Sequence, residues 1–168
     1  MSTSRVRETI NLLFVCHGNI CRSPTAEFVM KYKVVQANAA QFFHIESAAT
    51  SSEELGNPIY PGARKALIKH KIPFDDGKRA RRVVPEDYQR YDLIIVMDSE
   101  NLWSLKRRAQ VFAQDPEHKI ARLLDFTAQP GDVDDPWYHN QFDRTLEEIS
   151  HGCDALLERL ITTHRLND

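Results

Sequence analysis

A chain of 168 residues, 42% of them hydrophobic and 27% charged, is long enough to bury one substantial core and too short to require a second domain. Its formal net charge of −2 lacks the basic excess that displaces counterions from nucleic acid, and no apolar run reaches membrane-spanning length, so neither nucleic acid nor a membrane is an expected partner. The N-terminal residues lack the apolar core of a signal peptide, and 3 cysteines, an odd number, suit a reducing compartment better than a disulfide framework, which points to a cytoplasmic protein of one domain, residues 1–168.

The first apolar run, Ile10 to Val15, reads as a strand buried on both faces. It leads into Cys16-His17-Gly18-Asn19-Ile20-Cys21-Arg22-Ser23-Pro24-Thr25, a tight turn, and then a helix from Pro24 to Ala40 with Ala26, Val29, Met30 and Val34 at helical spacing. A second strand, Phe42 to Ala48, runs out into Ser47-Ala48-Ala49-Thr50-Ser51. A helix from Pro61 to His70 follows, closed by Pro73. The basic run Lys78-Arg79-Ala80-Arg81-Arg82 either faces an anionic substrate or partner or forms a solvated loop or helix start. The third strand spans Tyr91 to Met97, and Asp98 or Ser99 can cap the helix Asn101 to Ala109 behind it. After a fourth strand, Lys119 to Leu124, the turn-rich stretch Asp125 to Asn140 reads as a surface loop able to close over a crevice. The last helix, Gln141 to His164, carries Leu146, Ile149, Cys153, Leu156, Leu157 and Leu160 as its apolar stripe, with Cys153 a core residue.

Strand and helix alternate throughout, which predicts an α/β fold: a doubly wound, four-stranded parallel sheet with helices on both faces, flavodoxin-like, in strand order 2-1-3-4. Ligands of such sheets bind beyond the carboxyl ends of the strands, where the strand order switches. The turn from Cys16 to Arg22 lies at one such end. Ser47 to Ser51 and Met97 to Asn101 lie at equivalent places and should converge on the same crevice.

A cysteine and an arginine six residues apart mean little by themselves; their position between a buried strand and a helix start gives them meaning. A helix N-terminus offers unpaired N–H groups and the positive end of the macrodipole, so a short turn there can wrap a tetrahedral oxyanion, and a thiol at its mouth sits where the thiolate is favoured. Gly18 permits close backbone approach. Cleaving a phosphate monoester through a covalent intermediate needs a nucleophile, a cradle for three oxygens and an acid for the leaving group. Cys16 can be the first; the amides of residues 17–22 and the fork of Arg22 can form the second. The Ser23 hydroxyl is placed to donate to the thiolate as it departs. For the acid, Asp135 is favoured because Pro136 stiffens the backbone and Trp137 and Tyr138 can shield the carboxyl, with Asp132 and Asp134 as competitors.

The run Val15-Cys16-His17-Gly18-Asn19-Ile20-Cys21-Arg22-Ser23-Pro24-Thr25-Ala26-Glu27 resembles the signature loop of low-molecular-weight protein tyrosine phosphatases. The resemblance recurs, in the family's order, at Ser47 to Ser51, at Tyr91 to Asp98 and at Asp135-Pro136-Trp137-Tyr138. It implies that Cys16 is the nucleophile, Arg22 the phosphate clamp and Asp135 the general acid and then base. By the same resemblance His17, Gly18, Asn19, Ile20, Cys21 and Arg22 form the phosphate loop, and Asn19, Ser23 and Ser47 hold it in shape. Trp137 and Tyr138 become a wall of a slot deep enough for phosphotyrosine but not phosphoserine. Cys21 matches a second thiol that pairs reversibly with the nucleophile; it is either a residue chosen for size or protection against over-oxidation. The family needs no metal or other cofactor, acts on tyrosine-phosphorylated proteins and is inhibited by oxyanions such as phosphate and vanadate.

The sequence also departs from the family. Where relatives often carry a supporting histidine it reads Gly77-Lys78-Arg79-Ala80-Arg81, so loop support is missing from the pattern there, and His70 belongs to the preceding helix. Glu53, beside Glu54, stands at a rim position often aromatic in relatives, and His17 is a further rim candidate. Alternatives are an arsenate reductase on the same fold, which would relay a disulfide through further cysteines, and a phosphotyrosine-binding module without turnover. A metal site from Cys16, His17 and Cys21 has too few ligands at zinc-like spacing.

Overall fold

A computed structural model of the chain describes residues 8–167. Four strands, β1 (Ile10–Cys16), β2 (Phe43–Ala49), β3 (Leu93–Val96) and β4 (Ile120–Arg122), pair in parallel in the order β2-β1-β3-β4. This is the expected doubly wound sheet of order 2-1-3-4, and the order switches at β1, whose carboxyl end carries Cys16.

β1 is central and serves two cores. Leu12, Phe14 and Cys16 point to one face, covered by α1 (Arg22–Gln36), α2 (Pro61–Lys69) and α7 (Phe142–His164). Leu13 and Val15 point to the other, where Tyr88 of α3 (Asp87–Arg90), Leu105 of α4 (Ser99–Arg108) and Phe112 of α5 (Gln110–Gln114) pack. Both faces are interior, which is why the strand reads as an unbroken apolar run; each such buried side chain stabilises the fold by about 1.5–3 kcal/mol. Among the described residues no helix is long and apolar enough to cross a membrane.

Several boundaries differ from those predicted. α1 begins at Arg22, not Pro24, and stops at Gln36, not Ala40, because Asn38 adopts a left-handed conformation (φ 54°) and Ala39 N–H closes on Val34 O at 2.8 Å. β3 is shorter than Tyr91 to Met97, since Tyr91 still terminates α3. β4 gives way at Leu123 to a 3₁₀ turn, Leu123–Phe126. The stretch Asp125 to Asn140 is not all loop: it holds that turn and a one-turn helix, α6 (Pro136–His139), capped by Asp135. Of the two candidate caps for α4, Asp98 does the work, its Oδ1 accepting from Asn101 N at 2.6 Å.

Candidate active site

Cys16 closes β1 and Arg22 opens α1, so the intervening turn spans residues 17–21, and each of the two end residues is only 3% exposed. The turn is anchored through its carbonyls. Cys16 O accepts from Thr50 N (2.9 Å), His17 O from Ser51 N and Oγ, Ile20 O from Tyr60 N (2.8 Å), and Cys21 O from Thr25 N and Oγ1. In a trans peptide the N–H lies opposite the carbonyl, so holding these oxygens outward turns the N–H groups of His17, Gly18, Cys21 and Arg22 towards the concave side.

A chain of hydrogen bonds runs beneath the turn. Asn19, left-handed at φ 58°, uses both Nδ2 protons, donating to Ser23 Oγ at 2.8 Å and Ser47 Oγ at 2.9 Å, while its Oδ1 accepts from Arg81 N at 3.2 Å. Ser47 Oγ donates to Glu27 Oε1 at 2.6 Å, since a carboxylate can only accept. As a thiol Cys16 donates from Sγ to Ser23 Oγ at 3.1 Å and the Ser23 hydroxyl proton goes to Ala48 O at 3.4 Å; as a thiolate Cys16 would accept that proton, beside Ser23 N–H, which approaches the sulfur at 3.4 Å.

Arg79 of the basic run is exposed in an irregular segment, but the other three cations pair within the protein. Lys78 Nζ lies 3.2 Å from Glu27 Oε1 and 3.1 Å from Ser47 O, which supplies loop support at the very position where the sequence pattern lacked it. Arg81 grips the fully buried Asp87 with two nitrogens (3.0 and 3.2 Å), and Arg82 Nε donates to Thr50 O at 3.1 Å. Glu27, 4% exposed, was visible as a charge on the buried side of α1 but carried no assigned role in the sequence.

Arg22 Nη1 donates to Asp98 Oδ2 at 2.6 Å and to Val133 O at 2.8 Å, while Nη2 lies 3.5 Å from Asp135 Oδ2. Burial alone would lower the guanidinium pKa, but Cys16, Asp98 and Asp135 outweigh it and raise it further, so the cation is secure. Cys21 is pushed above the usual thiol range by burial first and then by Cys16 and Asp135. Among the three competing aspartates, Asp135 lines the cavity, with Oδ1 accepting from Trp137 N at 3.0 Å. Asp132 is engaged elsewhere, by Ser99 and Arg122, and Asp134 points to solvent.

The cavity over the turn has a volume of about 230 Å³. Cys16, His17, Gly18, Ile20, Cys21 and Arg22 form its floor, with Asn19, Ser23 and Ser47 buried below. Trp137 and Tyr138 form an exposed wall, and Glu53 and Glu54 an acidic rim where His17 Nε2 meets Glu53 Oε2 at 2.9 Å. Two lining aromatics were missed. The Tyr60 ring centroid lies 5.3 Å from that of Trp137 and 5.6 Å from that of Phe142. Tyr60 closes the segment between β2 and α2, so the rule that strand-end loops build the site could have found it. Phe142 lies on the extension of the α7 apolar stripe and reads only as core. Gly62 makes room for it, since a Cβ there would sit 2.6 Å from Phe142 Cζ.

The family model described as "Low molecular weight phosphotyrosine protein phosphatase" matches residues 11–165. The low molecular weight phosphotyrosine protein phosphatase of Gallus gallus is 37% identical over 155 residues, covering 90% of this chain and 96% of that protein. The crystal structure of YfkJ from Bacillus subtilis superposes with a TM-score of 0.86 at 35% identity, covering 93% of this chain and 97% of that one. That of the low molecular weight protein tyrosine phosphatase from Streptococcus pyogenes gives 0.81 at 38% identity, covering 95% and 98%.

Proposed function

Because the chain belongs to the low molecular weight phosphotyrosine protein phosphatase family, we propose that it hydrolyses protein phosphotyrosine and small aryl phosphates through a cysteinyl phosphate on Cys16. The observation that carries this reading is the convergence of Cys16, Arg22 and Asp135 on one aromatic-walled cavity. In the first step Cys16 thiolate attacks phosphorus, the S–P bond forms, the P–O bond to the ring breaks, and Asp135 delivers its proton to the departing oxygen. Arg22, tethered through Nη1, turns its remaining edge to the phosphoryl oxygens with the loop N–H groups. In the second, Asp135 takes a proton from water, the water oxygen attacks phosphorus, and the S–P bond breaks with the Ser23 hydroxyl donating to the returning thiolate. Inorganic phosphate leaves. Proton transfer of this kind is worth roughly 10²- to 10⁴-fold in rate.

No metal or other cofactor enters the scheme, because Arg22 and the amides supply the positive field. Phosphate and vanadate should compete for the same cradle. Three free cysteines, two of them in the loop, suit action in the cytoplasm and a Cys16–Cys21 pairing that shields the nucleophile. An arsenate reductase relay would need another accessible thiol, whereas Cys153 is fully buried in α7, with burial pushing its thiol up to about 12. A binding module without turnover has no use for a carboxyl placed over Arg22. The test is Cys16→Ser, which should abolish vanadate-sensitive hydrolysis of aryl phosphates; a fully active Cys16→Ser protein would overturn the assignment.

A further inference from the structure

The segment that carries Asp135 is tied down three residues earlier. Asp132 Oδ1 accepts from Ser99 N at 2.9 Å, Ser99 Oγ at 3.1 Å and Arg122 Nη1 at 2.9 Å. Arg122 Nη1 also donates to Ser99 Oγ at 2.9 Å, and its Nε and Nη2 hold Asp125 at 3.1 and 3.0 Å. The next residue, Val133, is fully buried, donates to Met97 O at 2.8 Å and accepts from Arg22 Nη1. Asp134 then crosses through solvent to Asp135, whose own carboxyl, among the described residues, meets Trp137 N and approaches Arg22 at 3.5 Å. Three donors on one oxygen are more than an exposed charge pair requires, and pairs as exposed as Arg122 (26%) and Asp132 (40%) contribute little to global stability. Their place in the fold gives them another use: Arg122 ends β4 and Ser99 starts α4, so the clamp joins the sheet edge to the acid-bearing segment.

We infer that Arg122, acting through Asp132 and Ser99, is a positioning residue that sets the approach of Asp135 to the leaving-group oxygen. The inference rests on the reading of Asp135 as the general acid. In kcat/KM, which ends at release of the phenol, a displaced acid slows only those substrates that need a proton on the leaving group, whereas hydrolysis of the cysteinyl phosphate uses the same carboxyl as base for every substrate. Displacement by an ångström can cost as much as roughly 100-fold.

The experiment compares kcat/KM for phenyl phosphate, a poor leaving group, with kcat/KM for 2,4-dinitrophenyl phosphate, a good one, in Arg122→Met, Asp132→Ala, Asp135→Asn and Arg122→Met/Asp135→Asn. Arg122→Met and Asp132→Ala should lose roughly 10- to 100-fold on phenyl phosphate, change less than about 3-fold on the dinitrophenyl ester, and leave inhibition by inorganic phosphate unaltered. Arg122→Lys, which can reach only one acceptor, should recover part of the loss. In the Asp135→Asn background Arg122→Met should cost nothing more, because the acid it positions is gone. Equal losses on both substrates, no loss, or a further loss in the double variant would overturn the clamp alone. If Asp135→Asn itself showed no leaving-group dependence, the acid assignment would fall and the clamp with it. Arg122→Met keeps the test open should Asp132→Ala fold poorly.

Discussion

Replacing Lys78 by methionine keeps the length of the side-chain stem and removes only its charge and donors. Two contacts go: the 3.2 Å ion pair with Glu27, which is 4% exposed, and the 3.1 Å hydrogen bond to Ser47 O. Breaking a buried pair from one side typically costs about 3–5 kcal/mol. Here Glu27 keeps Lys31 at 2.7 Å, but Lys31 is 46% exposed and shares its charge with water. We therefore place the loss at about 2–3 kcal/mol, which for a domain of this size lowers the thermal midpoint by about 4–12 °C. Urea denaturation of the single variants and of Lys78→Met/Glu27→Gln measures it. The double variant buries neither charge alone and should regain most of the lost stability, though not the loop geometry, so its affinity for inorganic phosphate stays weakened. A Lys78→Met protein within about 0.5 kcal/mol of the parent, or a double variant no more stable than the single one, would refute the reasoning.

Other expectations follow from the same geometry. Asn19→Gly and Asn19→Ala both sever the Ser23–Asn19–Ser47 chain, but glycine accepts the positive φ freely, so Asn19→Ala should be less stable than Asn19→Gly by about 1–2 kcal/mol in denaturant titrations. Gly62→Ala drives a methyl into Phe142 and tilts the Tyr60 wall; it should raise KM for aryl phosphates more than it lowers kcat, at a cost of about 1–3 kcal/mol in stability. A raised pKa keeps Cys21 as the neutral thiol as pH climbs past the usual thiol value of about 8.5, so at that pH iodoacetamide, followed by peptide mapping, should alkylate Cys16 well before Cys21. Labelling of both at one rate would contradict that ordering.

The strands were legible because β1 is buried on both faces and an unbroken apolar run is what such a strand requires. Their ends were less so: Tyr91 is apolar enough to extend β3, yet it caps α3, and its hydroxyl bonds Glu46 across the sheet edge. The residues of the loop itself were all readable, because strand-turn-helix context and chemistry coincide there. What escaped was long-range pairing of charges. Nothing local in Lys78-Arg79-Ala80-Arg81-Arg82 tells that Lys78 meets Glu27 some fifty residues upstream, or that Arg81 meets a fully buried Asp87. Asp132 shows the converse, a plausible acid by spacing that three donors hold away from the cavity. Gly152 in the middle of α7 belongs to the same class, since its purpose lies in Leu123, whose Cγ would sit 2.6 Å from a Cβ there.

The account stands or falls on a covalent phosphate at Cys16, and rapid acid quenching during turnover of an aryl phosphate, followed by mass mapping of the peptides, tests it directly. The phosphoryl group should be found on the peptide carrying Cys16, formed as fast as the first equivalent of phenol is released and absent from Cys16→Ser. Full turnover with no phosphorylated enzyme, or with the phosphate on another residue, would contradict it.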